Sequence, residues 1–134
     1  MHPHSWVAIV TLVALLVYIW MALGVVGARR NSGINAPTMT GDPALERAIR
    51  VQANTLEWLA IFLPSLWLFA IYWNDLIAAA LGVVWIVGRI VYALGYAADP
   101  SKREVGFIVQ GLATAVLLFG ALGRVIWILA VVGN

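Results

Sequence analysis

The sequence predicts an all-α membrane protein, a bundle of four transmembrane helices. Of its 134 residues, 63% are apolar and only 10% are charged, whereas about a quarter of the residues in a soluble domain are charged. A chain of this size cannot bury so much apolar surface in water. Four long apolar stretches separated by Asp, Asn, Gly and Pro take up almost its whole length. We expect a single domain over residues 1–134.

The first helix is predicted over residues 5–28, a stretch without a charged side chain. Its length of about 36 Å is enough to cross a bilayer. A signal peptide is the competing interpretation, but its basic residues would precede the apolar run. Here the pair Arg29-Arg30 follows the run and opens the longest predicted loop, which ends at Gly41.

Three short polar signals mark the starts of the other helices. Asp42-Pro43 combines an N-cap carboxylate with a proline at the first helical position, which predicts a second helix over residues 43–73. Asn74-Asp75 leaves a connection so short that the third helix must run antiparallel to the second. The third and fourth helices are predicted over residues 75–98 and 100–132, the fourth again after an Asp-Pro pair.

The distribution of basic residues predicts the orientation of the bundle. Six Lys or Arg residues lie in or beside the first and third connections, whereas Arg124 lies at the opposite side. Because positive charges accumulate on the cytoplasmic side, we expect the first and third connections there. Arg124 is expected to extend toward the far interface. The six residues are Arg29, Arg30, Arg47, Arg50, Lys102 and Arg103.

Polar side chains on two helices form stripes that point to a ligand. Arg50, Asn54 and Glu57 fall on one face of the second helix, and Arg89, Tyr92 and Tyr96 fall on one face of the third. Arg103 begins the fourth helix at a similar depth. Charges inside membrane spans cost about 2.5–3.5 kcal/mol each, so they mark functional sites by default.

A structural ion network that joins the helices is the alternative explanation of these stripes. Arg50, Arg89 and Arg103 set three positive charges against one carboxylate, Glu57. A purely structural cluster would be closer to neutral, since unpaired charges are unfavourable in a low dielectric. The excess favours an anionic ligand with carboxylates or phosphates. Glu57 would then be available for a ligand ammonium, as in an amino acid or small peptide.

Composition excludes several other functions. The chain has a single lysine and no dense basic patch, so no nucleic-acid partner is expected. It has no cysteine, hence no thiolate metal site and no cysteine nucleophile. His2 and His4 stand at the N-terminus and are not expected to bind a metal.

Residues 46–57 show the pattern Glu-Arg-x-x-Arg-x-x-x-Asn-x-x-Glu, and residues 89–96 show Arg-x-x-Tyr-x-x-Gly-Tyr. These two motifs resemble those of the MAPEG family, the membrane-associated proteins of eicosanoid and glutathione metabolism, and in particular its members like microsomal glutathione transferase and leukotriene C4 synthase. Arg103 follows Tyr96 by seven residues, and Ala28-Arg29-Arg30 closes the first helix, as in catalytic members. The resemblance covers about residues 5–130.

The resemblance implies a homotrimer that binds glutathione as a co-substrate between subunits, with no metal. It implies that Arg103 is the catalytic residue that stabilises the thiolate, that Glu57 meets the ammonium, and that Arg29 and Arg50 are among the carboxylate partners. The other substrate would be a lipophilic electrophile or a lipid hydroperoxide that arrives through the membrane lipid. The full set of glutathione contacts implied is Arg29, Arg50, Gln52, Asn54, Glu57, Trp58, Arg89, Tyr92 and Tyr96.

The resemblance predicts a membrane-bound glutathione transferase, with glutathione-dependent hydroperoxide reduction as a further activity. The alternatives are a non-catalytic glutathione- or lipid-binding membrane protein, a small transporter or channel subunit, and a purely structural bundle. Trp58 stands where the eicosanoid-forming branch has tyrosine, and Glu104 follows Arg103 where prostaglandin-forming members have a short polar residue. The first departure removes or moves a hydroxyl contact to glutathione, and the second argues against a prostaglandin isomerase. The short chain is typical of bacterial members, so we expect the bacterial inner membrane and a role in detoxification.

Overall fold

The computed structural model describes residues 2–133 as four long helices and one 3₁₀ turn. All four helices are long and apolar enough to cross a membrane. The prediction of an all-α bundle with four transmembrane helices is therefore confirmed. The elements are α1 (Ser5–Ser32), α2 (Pro43–Tyr72), α3 (Asp75–Ala98), the 3₁₀ turn (Pro100–Arg103) and α4 (Glu104–Val131).

The largest differences from the predicted helix boundaries are at the end of α1 and at the start of the fourth helix. Helix α1 continues past residue 28 to Ser32, because Gly33 adopts the left-handed conformation (φ 73°) that caps a helix C-terminus. Arg29 and Arg30 therefore lie in its last turn, where basic side chains interact favourably with the helix dipole, and not in a loop. The fourth predicted helix is divided, since its first turn is the separate 3₁₀ turn.

Side-chain caps fix the starts of α2, α3 and the 3₁₀ turn. The carboxylate of Asp42 accepts a hydrogen bond from the backbone N–H of Leu45 at 2.9 Å, and Asn74 caps α3 in the same way. Asp99 accepts from the backbone N–H of Ser101 at 3.0 Å. The backbone and side-chain hydrogen bonds from Ser101 lower the pKa of Asp99, so it is ionised at neutral pH.

Aromatic rings and small residues fill the core, and large aliphatic side chains cover the outside. Phe62 of α2 stacks on Trp85 of α3 with 4.0 Å between ring centroids, and both rings are fully buried. By contrast, Leu12 and Leu16 of α1 and Phe119 of α4 are about three-fifths exposed. Apolar exposure on this scale suits contact with lipid, since a soluble monomer rarely shows large apolar patches.

At the end of the bundle that holds the turn between α2 and α3, Arg124 of α4 contacts that turn. Its guanidinium carbon lies 4.9 Å from the ring centroid of Trp73 and 4.8 Å from that of Trp127. Its Nε donates to the carbonyl oxygen of Tyr72 at 3.3 Å, at the C-terminus of α2. Trp73 in turn donates from Nε1 to the carbonyl of Gly120 at 2.8 Å. Arg124 therefore ties α4 to the α2–α3 turn, a role that its sequence position did not indicate.

Two glycines let α3 and α4 approach closely. A Cβ on Gly106 would lie 2.5 Å from the carbonyl oxygen of Gly88, and it would also collide with the backbone of Tyr92. A Cβ on Gly88 would lie 2.8 Å from the backbone nitrogen of Gln110. Because the obstructing atoms belong to the backbone, the two helices must separate if either glycine is replaced.

We expect Gly106→Ala to lower the thermal unfolding midpoint of the detergent-solubilised protein, at a cost of about 1–3 kcal/mol from overpacking. Gly111→Ala on the same helix is the matched control, because a Cβ there meets no atom within 4 Å. That control should gain up to about 1 kcal/mol from helix propensity. Circular dichroism during heating measures both. An unchanged or higher midpoint for Gly106→Ala would contradict the close approach.

Candidate ligand-binding site

A polar cavity of about 220 Å³ opens where α2, α3 and the start of α4 meet. Its walls come from the two polar stripes and from the region around the 3₁₀ turn. The cavity brings together most of the stripe residues with an aromatic ring of α4. The lining residues are Arg50, Asn54, Tyr92, Tyr96, Arg103 and Phe107.

The 3₁₀ turn positions Arg103 at the mouth of the cavity. Its Nη1 donates to the carbonyl oxygen of Pro100 at 3.1 Å, within the turn itself. Its guanidinium carbon lies 5.5 Å from the ring centroid of Tyr96. These two contacts hold the cation beside the cavity while its side chain stays exposed, so it can bind an anionic atom of a ligand.

Arg50 and Glu57 form the one ion pair among the site residues in the described chain. Nη1 of Arg50 lies 3.9 Å from Oε1 of Glu57, and the two side chains are 57% and 61% exposed. An exposed pair at this distance contributes little to stability, at most about 1 kcal/mol. Both groups are therefore available to a ligand, since little is lost when they part.

Arg89 lies beneath the cavity and not in its lining. The residue is fully buried, and its Nη2 donates to Asn54 Oδ1 at 3.0 Å and to Thr55 Oγ1 at 2.6 Å. Its guanidinium carbon stands 4.2 Å from the ring centroid of Tyr92. Arg89 therefore supports two lining residues, Asn54 and Tyr92, from behind. Within residues 2–133 no carboxylate forms a salt bridge with it.

Four other predicted contacts lie outside the cavity lining, among them Glu57, which reaches it through its ion pair with Arg50. Arg29 donates from Nη1 to the carbonyl of Thr38 at 2.7 Å, and so holds the loop that follows α1. Gln52 is half-buried on α2, and about 100° per residue turns it away from the face of Arg50 and Asn54. Trp58 packs edge to face on the cavity residue Phe107, with 5.5 Å between centroids.

Sequence reasoning missed two residues, Thr55 and Phe107. Thr55 is fully buried and accepts the shorter hydrogen bond of Arg89. A polar residue on the apolar face of α2 was the available signal. Phe107 follows Arg103 by four residues, so the two share one face around the start of α4. That spacing was also visible in the sequence.

The charges at this end of the bundle favour an anion. Arg50 and Arg103 line the cavity and Arg89 lies beneath it, while Glu57 offers the one carboxylate in contact with them among the described residues. The guanidinium groups can bind carboxylates in pairs of hydrogen bonds, and two tyrosines add hydroxyl donors. In residues 2–133 no three of His, Cys, Asp or Glu come together as a metal site would require.

Comparison with known families decides which class of membrane protein this is. The model of the MAPEG family matches residues 7–123, nearly the whole chain. The chain belongs to the MAPEG family. The resemblance stated from the motifs at residues 46–57 and 89–96 is thereby confirmed. As a MAPEG protein with four membrane-spanning helices, the chain is an integral membrane protein.

Several proteins are similar to this MAPEG chain over most of their length. An uncharacterised protein of Synechocystis sp. is 48% identical over 122 residues, 91% of this chain and 89% of that protein. Microsomal glutathione S-transferase 2 of Homo sapiens is 39% identical over 105 residues, 78% of this chain and 71% of that protein. Leukotriene C4 synthase of Cavia porcellus is 34% identical over 111 residues, 83% of this chain and 74% of that protein.

We expect Thr55→Val to destabilise the bundle by about 1.5–3 kcal/mol, because a buried guanidinium loses a charged hydrogen bond. Thr114→Val is the matched control, since Thr114 is equally buried and its hydroxyl bonds the carbonyl of Gln110 one turn back. Thermal unfolding in one detergent compares the two variants with the parent. Equal losses in both variants would show that Arg89 gains nothing from Thr55.

Proposed function

We propose that this protein is a membrane-bound glutathione transferase, which joins the glutathione thiolate to lipophilic electrophiles. The observation that carries the proposal is the cavity in which Arg103 stands beside Arg50, Asn54, Tyr92 and Tyr96. Support comes also from the relatives, one of which is named as a glutathione transferase. Glutathione, with two carboxylates, one ammonium and one thiol, suits the excess of guanidinium groups over carboxylates at this site.

Arg103 would act on the sulfur atom. A free thiol has a pKa of about 8.5 and is largely protonated at neutral pH. A guanidinium close to the sulfur favours the thiolate, which is the nucleophile. The thiol proton is released to water, and the thiolate attacks the electrophilic carbon of the second substrate, where the new carbon–sulfur bond replaces the bond to a leaving group such as chloride. Because the substrate supplies the sulfur, a chain without cysteine can carry out this reaction.

The other residues would bind and orient the peptide. In this proposal Glu57 meets the ammonium, Arg50 binds a carboxylate, and Asn54, Tyr92 and Tyr96 make polar contacts. Arg89 contributes from beneath, through its bonds to Asn54 and its contact with Tyr92. Trp58 borders the site through Phe107.

A homotrimer is part of the proposal because one chain leaves the site incomplete. Arg29 and Gln52, both implied as glutathione contacts by the resemblance, lie outside the cavity, whereas Glu57, Trp58 and Arg89 each contact a residue that lines it. A neighbouring subunit would supply Arg29 and Gln52, and glutathione would lie between two chains. The exposed apolar residues of α1 and α4 offer surface for such contacts and for a lipophilic substrate.

The proposal also includes the location and orientation of the protein in the membrane. Residues 1–134 would form one domain in a bacterial inner membrane, with the first and third connections in the cytoplasm. The site lies at the end of the bundle that carries those connections, so cytoplasmic glutathione would reach it directly. Hydroperoxide reduction would use the same thiolate, which attacks the outer oxygen and releases the alcohol; a second glutathione then converts the resulting sulfenic acid to the disulfide and water. The second candidate function is glutathione binding without catalysis. The two candidates differ in whether Arg103 stabilises the thiolate of the bound glutathione.

We expect Arg103→Ala to abolish turnover of a lipophilic chloroaromatic substrate and to leave glutathione binding within about threefold of the parent. The reason is that the guanidinium acts on the thiolate, while other groups hold the peptide. The ultraviolet difference band of the thiolate, measured on adding glutathione, should disappear in the variant. Calorimetry measures binding in the same samples.

Lys102→Ala is the matched control, because Lys102 belongs to the same turn and does not line the cavity. It should retain both the thiolate band and turnover. Full activity in Arg103→Ala would remove this residue from the mechanism. Binding without a thiolate band in the parent protein would favour the non-catalytic alternative.

We expect Glu57→Gln to weaken glutathione binding by about 1.5–3 kcal/mol, the scale of a hydrogen bond to a charged group. Glu46→Gln, an exposed carboxylate on the same helix and outside the cavity lining, is the control and should bind normally. Calorimetry with glutathione, and with a form whose amine is acetylated, measures both effects. The acetylated peptide should bind equally to Glu57→Gln and to the parent. Undiminished glutathione binding by Glu57→Gln would assign Glu57 a structural role.

A further inference from the structure

The position of the Arg103 guanidinium depends on the 3₁₀ turn that carries it. The side chain is long and exposed, and both of its contacts are to groups nearby in the chain. Its Nη1 donates to the carbonyl of Pro100 within the turn, and its guanidinium carbon faces the ring of Tyr96 in the last turns of α3. In the described part of the chain, the N-cap of α4 makes no side-chain hydrogen bond. A change in the conformation of the turn would therefore move the guanidinium.

Asp99 is the residue at which this turn begins. Its side-chain Oδ1 accepts from the backbone N–H of Ser101 at 3.0 Å, and its carbonyl oxygen accepts from the backbone N–H of Lys102 at 2.9 Å. Its own N–H donates to the carbonyl of Gly95 at 2.9 Å, at the end of α3. A short 3₁₀ turn has poor hydrogen-bond geometry of its own. The bonds of Asp99 therefore contribute much of what holds the turn in place.

The turn also lies directly against the end of α3. A Cβ on Gly95 would lie 2.5 Å from the carbonyl oxygen of Lys102, so the two backbones are in contact there. Tyr96, which lines the polar cavity, follows Gly95 in the chain, and Arg103 follows Lys102. Asp99 stands between these two cavity residues. It therefore joins the ring of Tyr96 to the guanidinium that the ring faces.

The hydrogen bond of the Asp99 side chain matters more here than its charge. The side chain is exposed, so solvent and salt screen its interaction with charged groups. The charged groups that act on it are Lys102 of the turn and Arg47 of α2, both cations. Asparagine would keep an oxygen that accepts from Ser101 and would lose only the charge, since Asn and Asp are similarly good N-cap residues. Alanine would lose both.

We propose that Asp99 is a positioning residue for Arg103, which caps the 3₁₀ turn and so holds the guanidinium beside the polar cavity. This inference rests on the proposed function, in which the guanidinium stabilises the glutathione thiolate. Without the cap, the carbonyl of Pro100 moves with the turn and the side chain of Arg103 loses its hydrogen bond. Asp99 does not line the cavity, so it acts on the thiolate only through Arg103.

The test compares the parent chain, Asp99→Ala and Asp99→Asn in one detergent. We expect Asp99→Ala to lower kcat for a chloroaromatic substrate about tenfold, because a displacement of about 1 Å at a catalytic site can cost up to about a hundredfold in rate. Its KM and Kd for glutathione should stay within about twofold of the parent, since the peptide-binding groups are unchanged. The thiolate band should reach half its amplitude at a higher pH, closer to the pKa of about 8.5 of a free thiol.

Two further variants are the controls. Asp99→Asn should match the parent in turnover and in the pH dependence of the thiolate band, because it retains the cap. Asn74→Ala removes a comparable cap at the opposite end of α3, where the exposed side chain of Asn74 accepts from the backbone N–H of Ile77 at 2.9 Å. It should lower the thermal unfolding midpoint as Asp99→Ala does, but leave the thiolate band and kcat at parent values.

Parent values of kcat and of the thiolate titration in Asp99→Ala would overturn the proposal. Equal losses in Asp99→Asn and Asp99→Ala would also overturn it, because the charge and not the cap would then be required. Equal losses in Asn74→Ala would reduce the effect to general destabilisation. A parent protein with neither a thiolate band nor turnover would contradict the proposed function and the role of Asp99 with it. Failure of the Asp99 role alone leaves an active parent.

Discussion

The buried guanidinium of Arg89 is the interaction on which the polar end of the bundle depends. It connects α3 to α2 through Asn54 and Thr55, and its cationic face meets the ring of Tyr92. A cation without a carboxylate partner is costly in a low dielectric unless polar groups and aromatic faces surround it. Within the described residues only Nη2 has hydrogen-bond partners, and its bonds together with the ring contact place Asn54 and Tyr92 against Arg89 at the floor of the cavity.

The close approach of α3 and α4 forms a second wall of the polar cavity. Gly88 and Gly106 bring the two backbones together, and Arg103, the last residue of the 3₁₀ turn, precedes Gly106 by three residues. Small residues at such contacts are typical of membrane bundles, where packing and not water drives helix association. Because the backbone contact lies one turn from Arg103, a change in helix separation would move this side chain relative to Tyr96.

The sequence predicted the elements better than it predicted the depth of individual side chains. The caps at Asp42 and Asn74 are local signals, so both helix starts were predictable. The sequence prediction ends α1 too early, before the charged pair Arg29-Arg30. The helix continues to Ser32, because its C-terminal cap is Gly33. Arg89 shares a stripe with Tyr92 and Tyr96, yet helical spacing gives only direction and not depth. Its burial depends on how α3 packs against α2, and the spacing of residues along α3 alone carries no information about that packing.

Two arginines at the polar end of the bundle stand in different surroundings. Arg103 lines a small polar cavity together with two tyrosines, whereas Arg47 lines an opening of small and aliphatic side chains and donates to the carbonyl of Ala97. Position at one end of the fold therefore does not decide which arginine can bind an anionic ligand; the polar groups around the arginine do.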